Sequence, residues 1–235
     1  MTTKHPLVAV QPEPEIPYRV LRTEGRIAID GVLNDRAWET ARPLKFLVHQ
    51  THEEPVSKTD ARMLWDDEYL YVAFRADDKD VWGYLTKRDD PTCLEDCLEV
   101  FFKTDPDRSP YYNFEINPMG TVFDAFSPGP DFAGGYHRWK KWDCEGLLVG
   151  VNIRGSLNDP SDVDDGWDLE VAIPFRSLPT LSGGGPREGD VWMFHLARYD
   201  YSVYLPGAGR ELSSTAPLTG PFCESSEWLP LVFGK

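Results

Sequence analysis

Glu99 and Glu115 lie in two short runs, EDCLEVFFK and YYNFEINP, whose residues alternate at period two. In the second run Tyr112, Phe114 and Ile116 make an apolar row, and Tyr111, Asn113, Glu115 and Asn117 make the opposing row of hydrogen-bonding groups. Two carboxylates on neighbouring strands of one face can serve two chemistries. Held ~5–9 Å apart, with one pKa raised, they could act as the acid and the base or nucleophile of glycoside hydrolysis. Flanked by amides, they could instead ring a polar ligand with hydrogen bonds. Arg88 and Arg198 are the cations expected to share that rim. The plainer alternative is a solvated face whose acids pair with those arginines for little energy.

A second chemistry resides in the aromatics. A pyranose presents C–H groups to a flat apolar ring and hydroxyls to planar hydrogen-bonders around it. Trp82 in KDVWGYLTKRDD, with Tyr84 beside it, and Trp139 and Trp142 in GGYHRWKKWDCEG, sit in turn-rich and charged settings, and are the candidate platforms. Trp38, Trp65, Trp167 and Trp192 fall in apolar periodic runs and are expected in the core. Asp77, Asp78 and Asp80 cluster after a strand, as hard oxygen ligands for calcium would, and a second acid-rich turn follows at Asp159–Asp165. Neither has EF-hand spacing. Cys93, Cys97, Cys144 and Cys223 form no CxxC pair and read as buried or incidental thiols, with Cys93 and Cys97 too far apart for a disulfide if both are extended. The histidines show no paired ligand spacing, and the glycine runs no phosphate loop.

The elements that must position these groups are strands. TDARMLWDDEYLYVAFRADD reads as a hairpin turning at Asp66–Asp67, with a second strand apolar on both faces and therefore central. TVFDAFS, LLVGVNIRGS, GWDLEVAIPF, VWMFHLARY and WLPLVF add further runs, and only LNDRAWETA and PFRSL suggest helical turns. The expected fold is all-β, a two-sheet antiparallel β-sandwich of jelly-roll or immunoglobulin-like kind. Residues 1–25, with Pro6, Pro12, Pro14 and Pro17, read as an extended arm, and residues 26–235 as one domain. A balance of 24 basic against 39 acidic side chains, formally −15, repels polyanions, so neither nucleic acid nor an anionic membrane is an expected partner. The first residues show no signal-peptide pattern, which would place the chain in the cytoplasm if complete and outside the cell if a leader had been trimmed. The oligomeric state is not legible.

The order IDGVLNDRAWETA, LWDDEYLYVAFRADD, LEDCLEVFF, YYNFEINPMGTVFD and GWDLEVAIPFRSL resembles the family 9 carbohydrate-binding modules. The resemblance runs from about Ile27 to the last strand, and implies a DOMON-related β-sandwich with structural calcium and a sugar-binding face, often attached to xylanases. It further implies an aromatic clamp with one ring just before the D-x-x-E strand, here Asp96 and Glu99, and another near the C-terminus. The first position holds Cys93 and the second falls near Phe222; Glu115 stands where the family has an Arg, and Asn117 matches its Asn. The implied function is noncovalent binding of an oligosaccharide or polysaccharide in glycan degradation, without catalysis. The alternatives are a glycoside hydrolase or its accessory subunit, and an interaction sandwich that has lost the clamp.

Overall fold

The computed structural model describes residues 17–129, 138–139 and 141–235. Among these residues thirteen strands follow one another: β1 (Tyr18–Arg22), β2 (Leu44–Lys45), β3 (Leu47–Val48), β4 (Thr59–Trp65), β5 (Tyr69–Ala76), β6 (Cys97–Lys103) and β7 (Tyr111–Ile116) in the first half. β8 (Val122–Ser127), β9 (Leu148–Arg154), β10 (Gly166–Pro174), β11 (Val191–Tyr201), β12 (Arg210–Ser214) and β13 (Leu229–Phe233) complete them. One layer runs β8-β7-β6-β11-β13 and the other β4-β5-β10-β9, each antiparallel throughout. The expected hairpin is β4–β5, and β5 is central, paired with both β4 and β10.

β1 corrects the expected arm. Its first three residues pair in parallel with Leu231–Phe233, and Leu21 and Arg22 pair in parallel with Leu64 and Trp65, so one strand joins the two layers at their edge. The expected arm over 1–25 therefore ends before Tyr18; residues 1–16 lie outside the described residues.

Period-two alternation fills the space between the layers. Leu70, Val72, Phe74 and Ala76 of β5, Leu98, Val100 and Phe102 of β6, Tyr112, Phe114 and Ile116 of β7, and Trp192, Phe194 and Leu196 of β11 share one core. Trp38, Trp65, Trp167 and Trp192 are all buried, as their runs required.

Each layer's outer face is also covered in part. Residues 26–41 lie over the second layer, where Ile27, Trp38 and Ala41 pack on Tyr69, Tyr71 and Ala172. Glu170 fastens this segment: its carboxylate accepts from Trp38 Nε1 at 2.9 Å and from the N–H groups of Asp30 and Gly31 at 3.1 and 3.0 Å. Gly31, at φ +82°, is pressed so closely on the β9 backbone that a Cβ would lie 2.5 Å from the Val151 carbonyl carbon. Residues 216–228 cover the first layer in the same way, with Phe222 and Trp228 against Phe101 and Ala197.

Candidate functional site

The segment Val81–Leu85 belongs to no strand, and side chains take its backbone donors in turn. Val81 N–H donates to Asp164, Trp82 N–H to Asp96, Gly83 N–H to Asn158, and Tyr84 and Leu85 N–H to Glu95, at 2.6–3.0 Å. Buried backbone groups outside a ladder need such partners, and here the acids also dictate where the rings stand. The second Asp96 oxygen accepts from Tyr201 N–H at 2.8 Å, so one carboxylate holds Trp82 and Tyr201 together. Asp80 accepts from Ser202 Oγ and, at 2.9 Å, from Val203 N–H, which fixes the turn that carries Tyr204.

The result is a cavity of about 350 Å³ at one end of the sandwich. Trp82, Tyr201 and Tyr204 supply its aromatic walls, and Asn158, Asp159 and Asp162 its polar rim. Trp82 and Tyr204 are 41% and 47% exposed, large apolar faces left open to solvent. Tyr84 stands edge-on to Trp82 with ring centroids 4.8 Å apart. Lys79 lies over the Tyr204 ring, 5.5 Å from its centroid.

A second polar locality lies on the outer face of β6, β7 and β11, adjoining the first through Tyr201, whose hydroxyl donates to the Cys93 carbonyl at 2.9 Å. Register places Glu99 opposite Glu115 and Ala197, as the alternation implied. Asn113 Nδ2 donates to Glu115 Oε1 at 2.8 Å, and Thr92 Oγ1 to Glu115 Oε2 at 3.2 Å. Glu99 is buried and its Oε2 has no hydrogen-bond partner; Asn113 Oδ1 is likewise buried and unpartnered. Burial and the Glu115 charge push the Glu99 carboxyl well above the usual range, and burial pushes Glu115 up. The covering segment closes this face. Phe222, the position of the second clamp ring, is 7% exposed and packed on Phe101, His195 and Tyr199.

Several expected rim residues are placed elsewhere. Arg198 is buried between the layers, donating to Asp78 Oδ2 at 3.0 Å, Thr59 Oγ1 at 3.1 Å and the Asp77 carbonyl at 2.8 Å, and is structural. It continues the inward stripe of Trp192, Phe194 and Leu196, two residues further along β11. Asn117 lies one residue past β7; its amide donates to Leu85 O and Glu95 and accepts from Met119 and Thr121 N–H, which builds the turn. Arg88 is bound to Asp124 and Asp143. Trp142 packs on Tyr112, Phe114 and Phe126, and Trp139 stands edge-on to Phe126, so both rings close the core rather than form a shelf. Tyr111, half-buried, lies edge-on to Trp228. Of the expected platforms Trp82 lines the cavity, and Tyr84, beside it, is exposed. Tyr201 and Tyr204 were missed: the first ends a strand, the second lies in YSVYLPGAGR, where an aromatic amid glycine and proline was the available signal.

The expected calcium triad does not converge either. Asp77 turns outward toward Arg154 and Asp78 inward, as alternation along the chain leaving β5 requires, while Asp80, past the strand, is taken up by the 202–203 turn. Asp78 instead meets Asp96 and Asp200, one oxygen of each lying within 4.8 Å of the others, all buried. Arg198 Nη2 lies 3.0 Å from Asp78 and 3.3 Å from Asp200. Three carboxylates against one guanidinium leave a negative surplus, and Asp200 accepts no hydrogen bond. Burial pushes Asp78 up to about 7 and Asp96 well above the carboxylate range. The donor set is hard oxygen and suits calcium.

Residues 29–129 match the sequence model of a family described as carbohydrate family 9 binding domain-like. A carbohydrate-binding module of family 9 from Caldicellulosiruptor kristjanssonii, solved with cellotriose, superposes at a TM-score of 0.62 and 16% identity, over 92% of this chain and 94% of that one. The module from the same organism solved with glucose gives 0.61 and 17%, over 92% and 96%. The exoglucanase XynX of Acetivibrio thermocellus and the endo-1,4-beta-xylanase A of Thermoanaerobacterium saccharolyticum are each 25% identical over 159 residues, 68% of this chain. The matched part spans only 12% of either relative's length.

Proposed function

We propose that this chain, a β-sandwich of the carbohydrate family 9 binding domain-like kind, binds a neutral oligosaccharide noncovalently in the cavity walled by Trp82, Tyr201 and Tyr204. The observation that carries this reading is the open aromatic cavity with an amide and carboxylates on its rim. Rings of that kind stack on pyranose C–H faces, and Asn158, Asp159 and Asp162 would take hydroxyls. An acidic rim favours hydroxyl donors and repels acidic sugars. The two clamp positions implied by the resemblance offer no exposed shelf, since one is Cys93 and the other a buried Phe222. The binding surface is therefore displaced to the neighbouring end of the sheet.

Binding without cleavage fits the carboxylates. Glu99 and Glu115 lie side by side, with ligand oxygens inside 4.8 Å, and both are buried. A hydrolytic pair must flank a glycosidic bond across ~5 Å or more. The neighbours solved with glucose and cellotriose favour glucan-type ligands, and the xylanase relatives add xylan. The role we infer is to hold such a glycan for degradation by another catalytic unit. For Asp78, Asp96 and Asp200 we propose calcium, as a structural tie between β6, β11 and the end of β5. Millimolar calcium after EDTA treatment is expected to raise the melting temperature, and an unchanged melting curve would count against it.

The test of sugar binding is tryptophan fluorescence during titration with cello-, xylo- and manno-oligosaccharides. A saturable shift is expected, abolished in Trp82→Ala and weakened in Tyr204→Ala. No response to any of the three series, from protein shown to be folded, would refute carbohydrate binding and favour an interaction sandwich.

A further inference from the structure

We propose that Cys97, Glu99 and Glu115, with Cys93 above them, form a zinc-type transition-metal site on the outer face of β6 and β7. Cys97 Sγ and one oxygen from each glutamate lie within 4.8 Å of one another, all on buried residues. A tetrahedral zinc with bonds of ~2.3 Å to sulfur and ~2.0 Å to oxygen needs ligand separations of roughly 3.5 Å. Small side-chain rotations reach that from the present spread. A fourth ligand comes from the 3-10 turn Thr92–Leu94, which folds Cys93 back toward Glu115 and Glu99. That turn also cancels the separation expected for an extended Cys93–Cys97 segment.

A cation already in place separates the two other acidic clusters from this one. The Asp78, Asp96 and Asp200 group encloses Arg198, and the Asp124 and Asp143 pair is bound by Arg88. Among the described residues no ion pair reaches Glu99 or Glu115, and nothing stabilises the Glu99 charge against its burial. Two buried carboxylates without a cation are costly. Glu99 Oε2, on a side chain 2% exposed, has no hydrogen-bond partner, and Asn113 Oδ1, on a residue 9% exposed and bonded through its nitrogen to Glu115, has none either. A divalent ion supplies the missing positive charge and occupies the open valence of Glu99. Thiolate beside carboxylate selects a borderline ion such as zinc over calcium or magnesium. Asn113 and Thr92 hold the Glu115 carboxylate in orientation, as partners of metal ligands do.

The experiment uses the full chain, stripped with chelator under reducing conditions and titrated with cobalt(II), which reports thiolate ligation by a sulfur-to-metal charge-transfer band. The expected result is a band saturating at one equivalent and displaced by zinc. It should weaken and shift in Cys97→Ser, where the Cys93 thiolate alone remains, and vanish when Cys93→Ser is added, and cobalt affinity should fall at least ~10-fold in Asn113→Ala. Glu99→Gln keeps size and shape, and serves as the second variant should Cys97→Ser fail to fold. Wild-type protein that takes up no stoichiometric cobalt or zinc, or a variant carrying both Cys93→Ser and Cys97→Ser that retains the band, would overturn the site. The oligosaccharide titration, run on stripped and loaded protein alike, depends on Trp82 and so fails or succeeds separately.

Discussion

Arg198 is a buried guanidinium set among three buried carboxylates, and its removal gives the sharpest test of how the two layers are held. Its side chain is 1% exposed, hydrogen-bonded to Asp78, Thr59 and the Asp77 carbonyl and ion-paired with Asp200, so it ties three different segments. Arg198→Met keeps much of the volume and deletes the charge. Asp78, Asp96 and Asp200 then face one another with no cation between them. Breaking a buried pair by removing one partner costs about 3–5 kcal/mol, since the other charge stays buried. In a domain of this size each kcal/mol lowers the melting temperature by roughly 2–4 °C, so a fall of roughly 6–20 °C is expected. Circular dichroism melts and urea titrations, both in EDTA so that no metal substitutes for the guanidinium, measure it. Arg198→Lys, which returns a charge without the fork, should recover only part. A Met variant within about 1 kcal/mol of the parent would refute the claim that the guanidinium balances these acids.

His195 is buried, its Nε2–H bonded to the Phe222 carbonyl, and burial lowers its pKa to about 3. With the folded value below the unfolded 6.5, its contribution is complete above 6.5 and is lost as pH falls from there toward 3, by up to ~1.4 kcal/mol per unit. His195→Phe should flatten stability against pH between 6.5 and 4.5; denaturant midpoints that fall in parallel for both proteins would refute this. Trp142→Ala should cost about 3 kcal/mol of stability and leave oligosaccharide affinity unchanged, because the ring packs on Tyr112 and Phe126. Gly31→Ala should destabilise by at least ~2 kcal/mol in urea titration, since both its positive φ and the β9 backbone oppose a Cβ.

Strands whose apolar residues alternate were legible, and the ones missed lack that signal. β12 reads RELSS, with Leu212 its single apolar residue, and β2 and β3 have two residues each. β1 was obscured by the prolines before it, although Tyr18 and Val20 alternate inward. The polar row of Tyr111, Asn113 and Glu115 was read correctly as one face. Its closure was not, because the cover comes from residues 216–228, a contact made a hundred positions away that no local period encodes. Arg198 was readable after all. It stands in phase with Leu196 and Phe194, Asp78 with Ala76 and Phe74, and Asp96 with Leu98 and Val100, so the pattern that defined the core also carried these charges into it.

The acidic excess then takes on a different meaning from the one the net charge suggests. As a field of −15 it only repels polyanions. Residue by residue, many of these acids are acceptors for backbone donors that no sheet ladder uses. Glu95, Asp96 and Asp164 hold the 81–85 segment, Asp80 the 203 turn, Glu170 the 30–31 turn, Asp66 the β4–β5 turn, and Asp124 the Cys144 amide. A sandwich with long irregular connections has many such N–H groups, and carboxylates satisfy them more strongly than neutral acceptors. The same acids set the aromatic walls of the cavity, since Asp96 alone links Trp82 to Tyr201. Asp96→Ala should therefore weaken oligosaccharide binding without touching the ligand, whereas Asp159→Ala, on the rim, should weaken it with the melting temperature unchanged. Equal losses of stability in the two variants would mean that the rim and the brace are not separate.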